Sequence, residues 1–503
     1  MEISSKTRGG RRVIHQAIEQ LISYTTFKEL ITVEDQIYIY NQLCSLLKIE
    51  GQKPSFHEVP LDKSIDDYLK PILDYAAQEH MIDVDTTLNR DLFEDKIMNH
   101  FLPRPGDLTK QFYHTMFSEP EQATNTYYKL AKESNYIKTS RIAKNIHYLA
   151  ENKYGQVEIT INLSKPEKDP RDIAKAKEEQ HNYPACLLCK EHVGHEGDAS
   201  LPPRMTHRII PLTLNEERFY LQYSPYSYYQ EHCIVLHEEH IPMNVGQHTF
   251  QRLLDFVEQF PHYFLGSNAG LPIVGGSILS HEHYQGGRAH FPIEDAHVLK
   301  EFTQGNVSYE LLHWPLSTIR LRSKSKRDLI HASEHMRQRW ISYENKDLHI
   351  YKHTDTPHNA VTPVARKIGD EFIVDLTLRN NLTTNDHPMG LFHPHEEHHH
   401  IKKENIGLIE VMGLAILPGR LLEELEEIKE AIVQKKDYPA NKLHSHWVKE
   451  LKDKYKDQDI DTFIRQEVAI KFTKVLENSG VFKQDKEGQQ AFLSFVEDAI
   501  YDY

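Results

Sequence analysis

The chain is short of cysteine, has no long apolar run and carries no basic excess, and each shortage removes a class of function. Four cysteines in 503 residues are too few for the disulfide framework that staples small secreted domains. No stretch approaches the roughly 18 apolar residues of a membrane-spanning helix. The opening Met1-Glu-Ile-Ser-Ser-Lys has no apolar core of signal-peptide length. Acidic residues outnumber lysine plus arginine by 74 to 59, a formal net charge of −15. That balance argues against broad nucleic-acid binding and against an anionic membrane surface. It still admits a small phosphorylated ligand, which needs only a local basic pocket. A cytoplasmic protein with no nucleic-acid or membrane partner is therefore expected, with a core divided among two to four domains on length alone.

What is present begins with helical patterns. Val13, Ile14, Ala17, Ile18, Leu21 and Ile22 recur at helical spacing, as do Ile37, Tyr40, Leu43 and Leu47, and then Leu69, Ile72, Leu73 and Ala76. Residues 1–150 are read as a helical N-terminal region, broken at Pro54, Pro60 and Pro103-Arg-Pro105. The period changes at Val157-Glu-Ile-Thr-Ile-Asn-Leu163, where strict alternation predicts a strand with one buried face. A short charged helix is expected from Ile173 to Gln180. Further strands are predicted at Arg208–Ile210, Phe219–Tyr223, Cys233–Leu236 and Leu271–Val274, with a helix marked by Phe250, Leu253, Leu254 and Val257. Leu348–Tyr351 and Glu371–Leu378 alternate again. Leu421, Leu422, Leu425, Ile428 and Ile432 then form one apolar stripe of a long helix. The expected divisions are 151–330 for a first sheet half, 331–420 for a second, and 421–503 for a helical C-terminal region.

Two constellations carry chemistry. In His281-Glu-His283-Tyr-Gln285, preceded by Gly275-Gly276 and followed by Gly286-Gly287, side-chain alternation along a strand would aim both imidazoles the same way. Glycines on either side suit close backbone approach to a phosphate. A neutral imidazole is a competent nucleophile, because its ordinary pKa lies near 6.5. With 33 histidines in the chain, a bare His-x-His pair arises readily by chance. The nearby amides of Asn268 and Gln285 and the hydroxyls of Ser277 and Ser280 add neutral donors suited to phosphoryl charge. Asn268 alone is equally a turn residue. The second constellation, Cys186-Leu-Leu-Cys189, is a redox pair, a chance occurrence or half of a metal site. As a metal site for zinc or iron it needs two more ligands. His192, His195, His207, His232, His237, His240 and His281 are all candidates, and spacing does not choose among them.

These residues in this order resemble galactose-1-phosphate uridylyltransferases. Cys-x-x-Cys, a strand leading to His240, Asn268 and then His281-x-His283-x-Gln285 follow the family pattern. The surrounding Tyr-Pro-x-Cys-x-Leu-Cys, His-Arg-Ile-Ile, Gln-Tyr-Ser-Pro-Tyr and Gly-Gly-Ser-Ile-Leu-Ser-His are similar to its type 2, Gram-positive branch over nearly the whole chain. The resemblance implies an α+β fold of two histidine-triad-like antiparallel-sheet halves with helices, plus helical N- and C-terminal extensions. It implies transfer of UMP from UDP-glucose to galactose 1-phosphate by ping-pong chemistry through a uridylyl-histidine, within the galactose (Leloir) pathway. His283 would be the nucleophile and Gln285 the phosphate-oxygen contact. Asn268 and Ser277 would lie on the phosphate side, with Arg204 and Arg208 as substitutes for uridine contacts found elsewhere in the family. Cys186, Cys189, His240 and His281 would hold a structural zinc or iron, with no organic cofactor. The expected partners are UDP-glucose and galactose 1-phosphate, with a homodimer left open.

This chain departs from the better-studied branch at Glu282, where that branch has proline, and at Tyr284, where it has glycine. On a strand both side chains should face away from substrate. His398, His399 and His400 loosely resemble that branch's second metal set, at a different spacing. The alternatives are a nucleotide-sugar phosphorylase or hydrolase of the same superfamily, or a zinc-stabilised scaffold with no activity.

Overall fold

A computed structural model describes residues 3–60, 62–164, 183–276 and 278–501, with side chains described from Val13 onward. The expected helix at Ile173–Gln180 and the candidate Ser277 lie outside the described residues. Helices α1 (Ile3–Phe27), α2 (Gln36–Leu46), α3 (Ile65–Gln78) and α4 (Thr87–Asn99) bury a core of their own around Ile18, Leu21, Leu43, Leu69, Ile72 and Ile97. α5 (Pro105–Met116) and α6 (Pro120–Glu133) each open on a proline, where a missing N–H costs no helical bond. They pack onto the sheet core, and a short α7 (Thr139–Ile142) ends the helical region.

β1 (Ile146–Asn152) and β2 (Gly155–Asn162) form an antiparallel hairpin. The central sheet follows, with β3 (Ile210–Leu214), β4 (Glu217–Tyr223), β5 (Cys233–His237), helix α8 (Gln247–Gln259), β6 (Phe264–Gly266) and β7 (His283–Gly287). Next come β8 (Val298–Gln304), β9 (Val307–Leu312), β10 (Thr318–Ser323), helix α9 (Lys326–Ser342), β11 (Asn359–Ile368) and β12 (Glu371–Asn380). The ten strands pair antiparallel in the order β3-β4-β5-β7-β6-β11-β12-β10-β9-β8. Each half is thus a run of three strands, a helix and two more strands, with the last strand inserted beside the third. The halves join through β6 and β11, where Gly266 faces Val364 and Leu265 faces Ala365.

Side-chain alternation sorts the two faces of this sheet. Tyr284, Val235, Leu265 and Ala365 point to the face covered by α8 and α9, whose Phe250, Leu253, Leu329 and Trp340 complete that core. Directly opposed residues share a face, so Ile234, Gln285, Gly266, Val364, Asp375 and Arg320 form one cross-sheet row on the other side. Part of that second face is covered by α10 (Leu408–Val411), β13 (Leu414–Pro418), which adds parallel to β2, and helices α11 (Leu421–Val433), α12 (Ser445–Lys454) and α13 (Ile460–Ser479). α14 (Lys486–Tyr501) returns to the α9 side.

The structure differs from the sequence reading at three places. Leu271–Val274 is a turn in which Ile273 has φ +73°, and Pro272 within it has no N–H to give a ladder. Leu348–Tyr351 makes only an isolated bridge at Ile350. Strands β8–β10 carry no clear alternation at their outer edge, where Leu299, Lys300 and Glu301 are all exposed. They belong to the second half, so the halves divide between Gly287 and Val298 rather than at residue 330.

Candidate active site

Three loops and one strand bring the cysteines and histidines together. Cys186 and Cys189 lie in the loop ahead of β3, His240 follows β5, and His281 immediately precedes β7. Cys186 Sγ is 3.3 Å from His281 Nδ1, Cys189 Sγ is 3.2 Å from His240 Nδ1, and the two sulfurs are 3.5 Å apart. All four ligand atoms lie within 4.8 Å of one another. A tetrahedral ion bound at usual zinc distances needs donor–donor edges of roughly 3.4–3.8 Å, so the donor set fits. Backbone N–H groups of Cys186 and Leu188 point at the sulfurs of Cys189 and Cys186, at 3.3 and 3.4 Å. Burial and the neighbouring Cys186 push the Cys189 thiol up to about 11, a cost that a bound cation would remove. His281 Nε2 donates to the His237 carbonyl at 2.9 Å, which leaves the lone pair on the Nδ1 that faces the sulfurs. His192, His195, His207, His232 and His237 stand outside this group.

His283 opens β7 and is buried. Its Nδ1 lies 2.8 Å from the His281 carbonyl. A carbonyl only accepts, so Nδ1 carries the proton and Nε2 carries the lone pair. Burial pulls the ring's pKa down to about 4 against the opposing pull of that carbonyl. His281, whose ring stands in the Cys/His cluster, therefore sets the His283 tautomer through its backbone carbonyl.

Glu282 and Tyr284 point to the opposite face, as alternation requires. Glu282 Oε1 accepts from Tyr284 Oη at 2.6 Å and from Arg252 Nη1 of α8 at 3.2 Å, and Oε2 accepts from the Asn244 N–H at 2.8 Å. Arg252 also holds Glu217 of β4. The two departures from the better-studied branch thus form a buried ionic clamp between β7, β4 and α8. The carboxylate is turned away from the His283 ring.

Asn268 follows β6 and is buried on the His283 side. Its Oδ1 accepts the Leu408 N–H at 3.0 Å, which leaves Nδ2 as the group that donates. Nδ2 sits 2.8 Å from where a Cβ on Gly276 would be, so a side chain there would collide with the amide. Gln285 shares the face of His283 and sits opposite Gly266 and Ile234. The two arginines fare differently. Arg204 lies over the Tyr136 ring and bonds the Pro203 carbonyl. Arg208 directs Nε to the Pro103 carbonyl, Nη1 to those of Met205 and His207, and Nη2 to Asn99. With four of its five N–H groups so used, Arg208 pins α4 and α5 to the sheet.

Sequence reasoning gave His232 only as a candidate ligand. It lies just before β5 on the Gln285 face, its ring beside the Gln285 carboxamide. The ring stacks 5.6 Å from Tyr228 and sits 4.5 Å from Tyr229. Burial lowers its pKa to about 3, and only the Gln285 carboxamide opposes that fall. No sequence pattern marks this residue; the strand register alone sets it beside Gln285. The His398–His400 run does not converge. His399 bonds the Pro394 carbonyl, His400 meets His444, and His398 lies near Glu397. A cavity of about 720 Å³ lies between the α1–α2 corner and α5–α6 and includes none of these residues.

Family models for galactose-1-phosphate uridyl transferase match the chain in two parts, the N-terminal domain over residues 31–242 and the C-terminal domain over 256–449. The galactose-1-phosphate uridylyltransferase of Clostridium acetobutylicum is 48% identical over 497 residues, 96% of this chain and 99% of that protein. The protein of the same name from Bacillus subtilis is 46% identical over 501 residues, 96% of this chain and 97% of its own. Among solved structures, yeast Ap4A phosphorylase Apa2 is 12% identical and covers 68% of this chain and 98% of its own at a TM-score of 0.34. Two matching domain models and near-half identity along almost the full length place this chain in the galactose-1-phosphate uridylyltransferase family.

Proposed function

We propose that the protein transfers UMP from UDP-glucose to galactose 1-phosphate, with His283 as the nucleophile. The observation that carries this is the hydrogen bond from His283 Nδ1–H to the His281 carbonyl, in a chain of this family. The Nε2 lone pair attacks the α-phosphorus of UDP-glucose. An N–P bond forms, the bond from phosphorus to the bridging oxygen breaks, and glucose 1-phosphate leaves with the electron pair. No proton need move, because Nδ1–H stays on the carbonyl throughout. Galactose 1-phosphate then attacks the uridylyl-histidine through a phosphate oxygen, already anionic and in need of no general base, and UDP-galactose departs. Asn268 Nδ2 and the Gln285 amide would donate to non-bridging oxygens as charge builds on them. A neutral glutamine cannot activate water, which favours transfer over hydrolysis. Cys186, Cys189, His240 and His281 would hold zinc or iron. The ion's part is structural, fixing the His281 backbone on which the His283 tautomer depends.

The test is formation of UDP-galactose and glucose 1-phosphate from the two substrates. Wild-type protein is expected to turn over and His283→Ala to lose at least a thousandfold in rate with its metal retained. Equal rates in the two proteins would remove His283 from the mechanism.

A further inference from the structure

Arg379 of β12 is buried to 1% exposure, and no carboxylate forms an ion pair with it among the described residues. Its Nη2 donates to the Ile406 carbonyl at 2.8 Å and its Nη1 reaches the Thr362 hydroxyl at a long 3.4 Å, while Nε has no partner. The nearest acid that acts on it is Glu410, already held by the Lys402 ammonium at 2.9 Å. Lys402 also meets the exposed Glu404 at 3.8 Å, so among the described residues Glu410 is the buried carboxylate that the two cations share. The neighbouring cations on this face are balanced: Arg320 and Arg366 both hold Asp375, and Arg366 also meets Glu294. Burial drags the Arg379 guanidinium down to about 10, the mark of a charge without water or counterion.

Its surroundings are those of the proposed catalytic site. Arg379 shares a sheet face with Asp375 and Thr377, and so with Gln285 and His283. β12 is three strands from β7, roughly 14 Å at about 4.8 Å per strand. Leu408 covers Gly266 and Val364 in that interval, and Ala269 and Val274 pack against Ala360 opposite Arg379, so the segments flanking Asn268 are what adjoin the guanidinium. The same short segment touches both Arg379 and Asn268, since Arg379 bonds the Ile406 carbonyl and the Leu408 N–H bonds Asn268. His393, within electrostatic reach of Arg379, is tied to Asn405 at the start of that segment.

We propose that Arg379, beside Asn268 and the 405–408 segment, anchors the phosphate monoester of the sugar 1-phosphate. That group leaves in the first half-reaction and attacks in the second. The assignment rests on the transferase reading and names the residue that supplies its missing positive charge. A planar guanidinium with a free Nε–H suits a phosphate better than an ammonium would.

The experiment compares wild type, Arg379→Lys and Arg379→Gln as full chains, each checked for folding by thermal melting. Calorimetric binding of galactose 1-phosphate is measured alongside steady-state kinetics. Arg379→Gln is expected to weaken binding and raise KM for galactose 1-phosphate at least tenfold, with a smaller change in kcat. Arg379→Lys, which keeps the charge but not the fork, should fall between the two, and it decides the matter if Arg379→Gln does not fold. Inorganic phosphate should compete with galactose 1-phosphate in wild type and much less in either variant. Binding and KM within twofold of wild type in a folded variant would overturn the assignment. So would a fall in melting temperature and kcat with KM unchanged, the behaviour of a purely structural arginine. Failure of wild-type protein to form UDP-galactose would sink the transferase reading instead, while the binding comparison would still decide Arg379.

Discussion

Asn268 shows how a single side chain is oriented before any ligand arrives. Its carbonyl oxygen is committed to the Leu408 N–H, so the amide offers only N–H groups toward Gly276. A phosphate oxygen needs such donors, and they gain strength where water is excluded. Asn268→Asp keeps the acceptor for Leu408 and replaces the donor by a negative oxygen. It is expected to lower kcat/KM for UDP-glucose about a hundredfold, about 2.7 kcal/mol of transition-state stabilisation, with little change in melting temperature. A variant that loses stability but keeps kcat/KM would make Asn268 a loop-holding residue only.

Strand β7 serves two functions through its alternation. One face carries His283 and Gln285, and the other fastens Glu282 and Tyr284 to Arg252 and thereby to α8. Arg252 and Glu282 are both buried, so removing one partner strands the other's charge. Arg252→Ala is expected to destabilise the protein by about 3–5 kcal/mol, read as a lower urea midpoint. Arg252→Met combined with Glu282→Leu should recover part of that loss. An unchanged midpoint in the single variant would mean that the clamp contributes nothing. The motif His281-x-His283-x-Gln285 and its two faces were legible in the sequence because a period of two is a local property. The turn at Leu271–Val274 was not, since an apolar run that wraps around Asn268 has the same composition as a strand. The surroundings of Arg379 and His232 were not legible either, and His232 stood only among the candidate metal ligands. Their character comes from segments far apart in sequence, the Gln285 strand beside His232 and the 405–408 segment against Arg379, which no local pattern shows.

Across the whole molecule, ten strands repeat one five-strand plan twice, and only one copy carries the histidine. β12, which occupies in the second half the place of β7 in the first, has no histidine in Glu371–Asn380. On the equivalent face, burial pushes the Asp375 carboxyl up, and the Arg366 and Arg320 guanidiniums more than offset it. That network places matched charge around Asp375 on that face. The helical N-terminal region reinforces the first half. Asp95 of α4 accepts from the Met205 and Thr206 backbone, and Tyr127 of α6 bonds the Arg208 carbonyl. The fold class and the helical ends were readable from periodicity together with the family pattern. The boundary between the halves was not, because β8 is an edge strand whose exposed charges hide its alternation.

We propose a single nucleophile, His283, in one half of a two-half sheet. The most direct measurement is the intact mass of the protein after incubation with UDP-glucose alone, repeated with His283→Ala and followed by addition of galactose 1-phosphate. The account predicts one uridylyl group per chain on His283, lost to UDP-galactose when the acceptor is added, and no adduct on the variant. An adduct that survives His283→Ala, or two per chain, would contradict it.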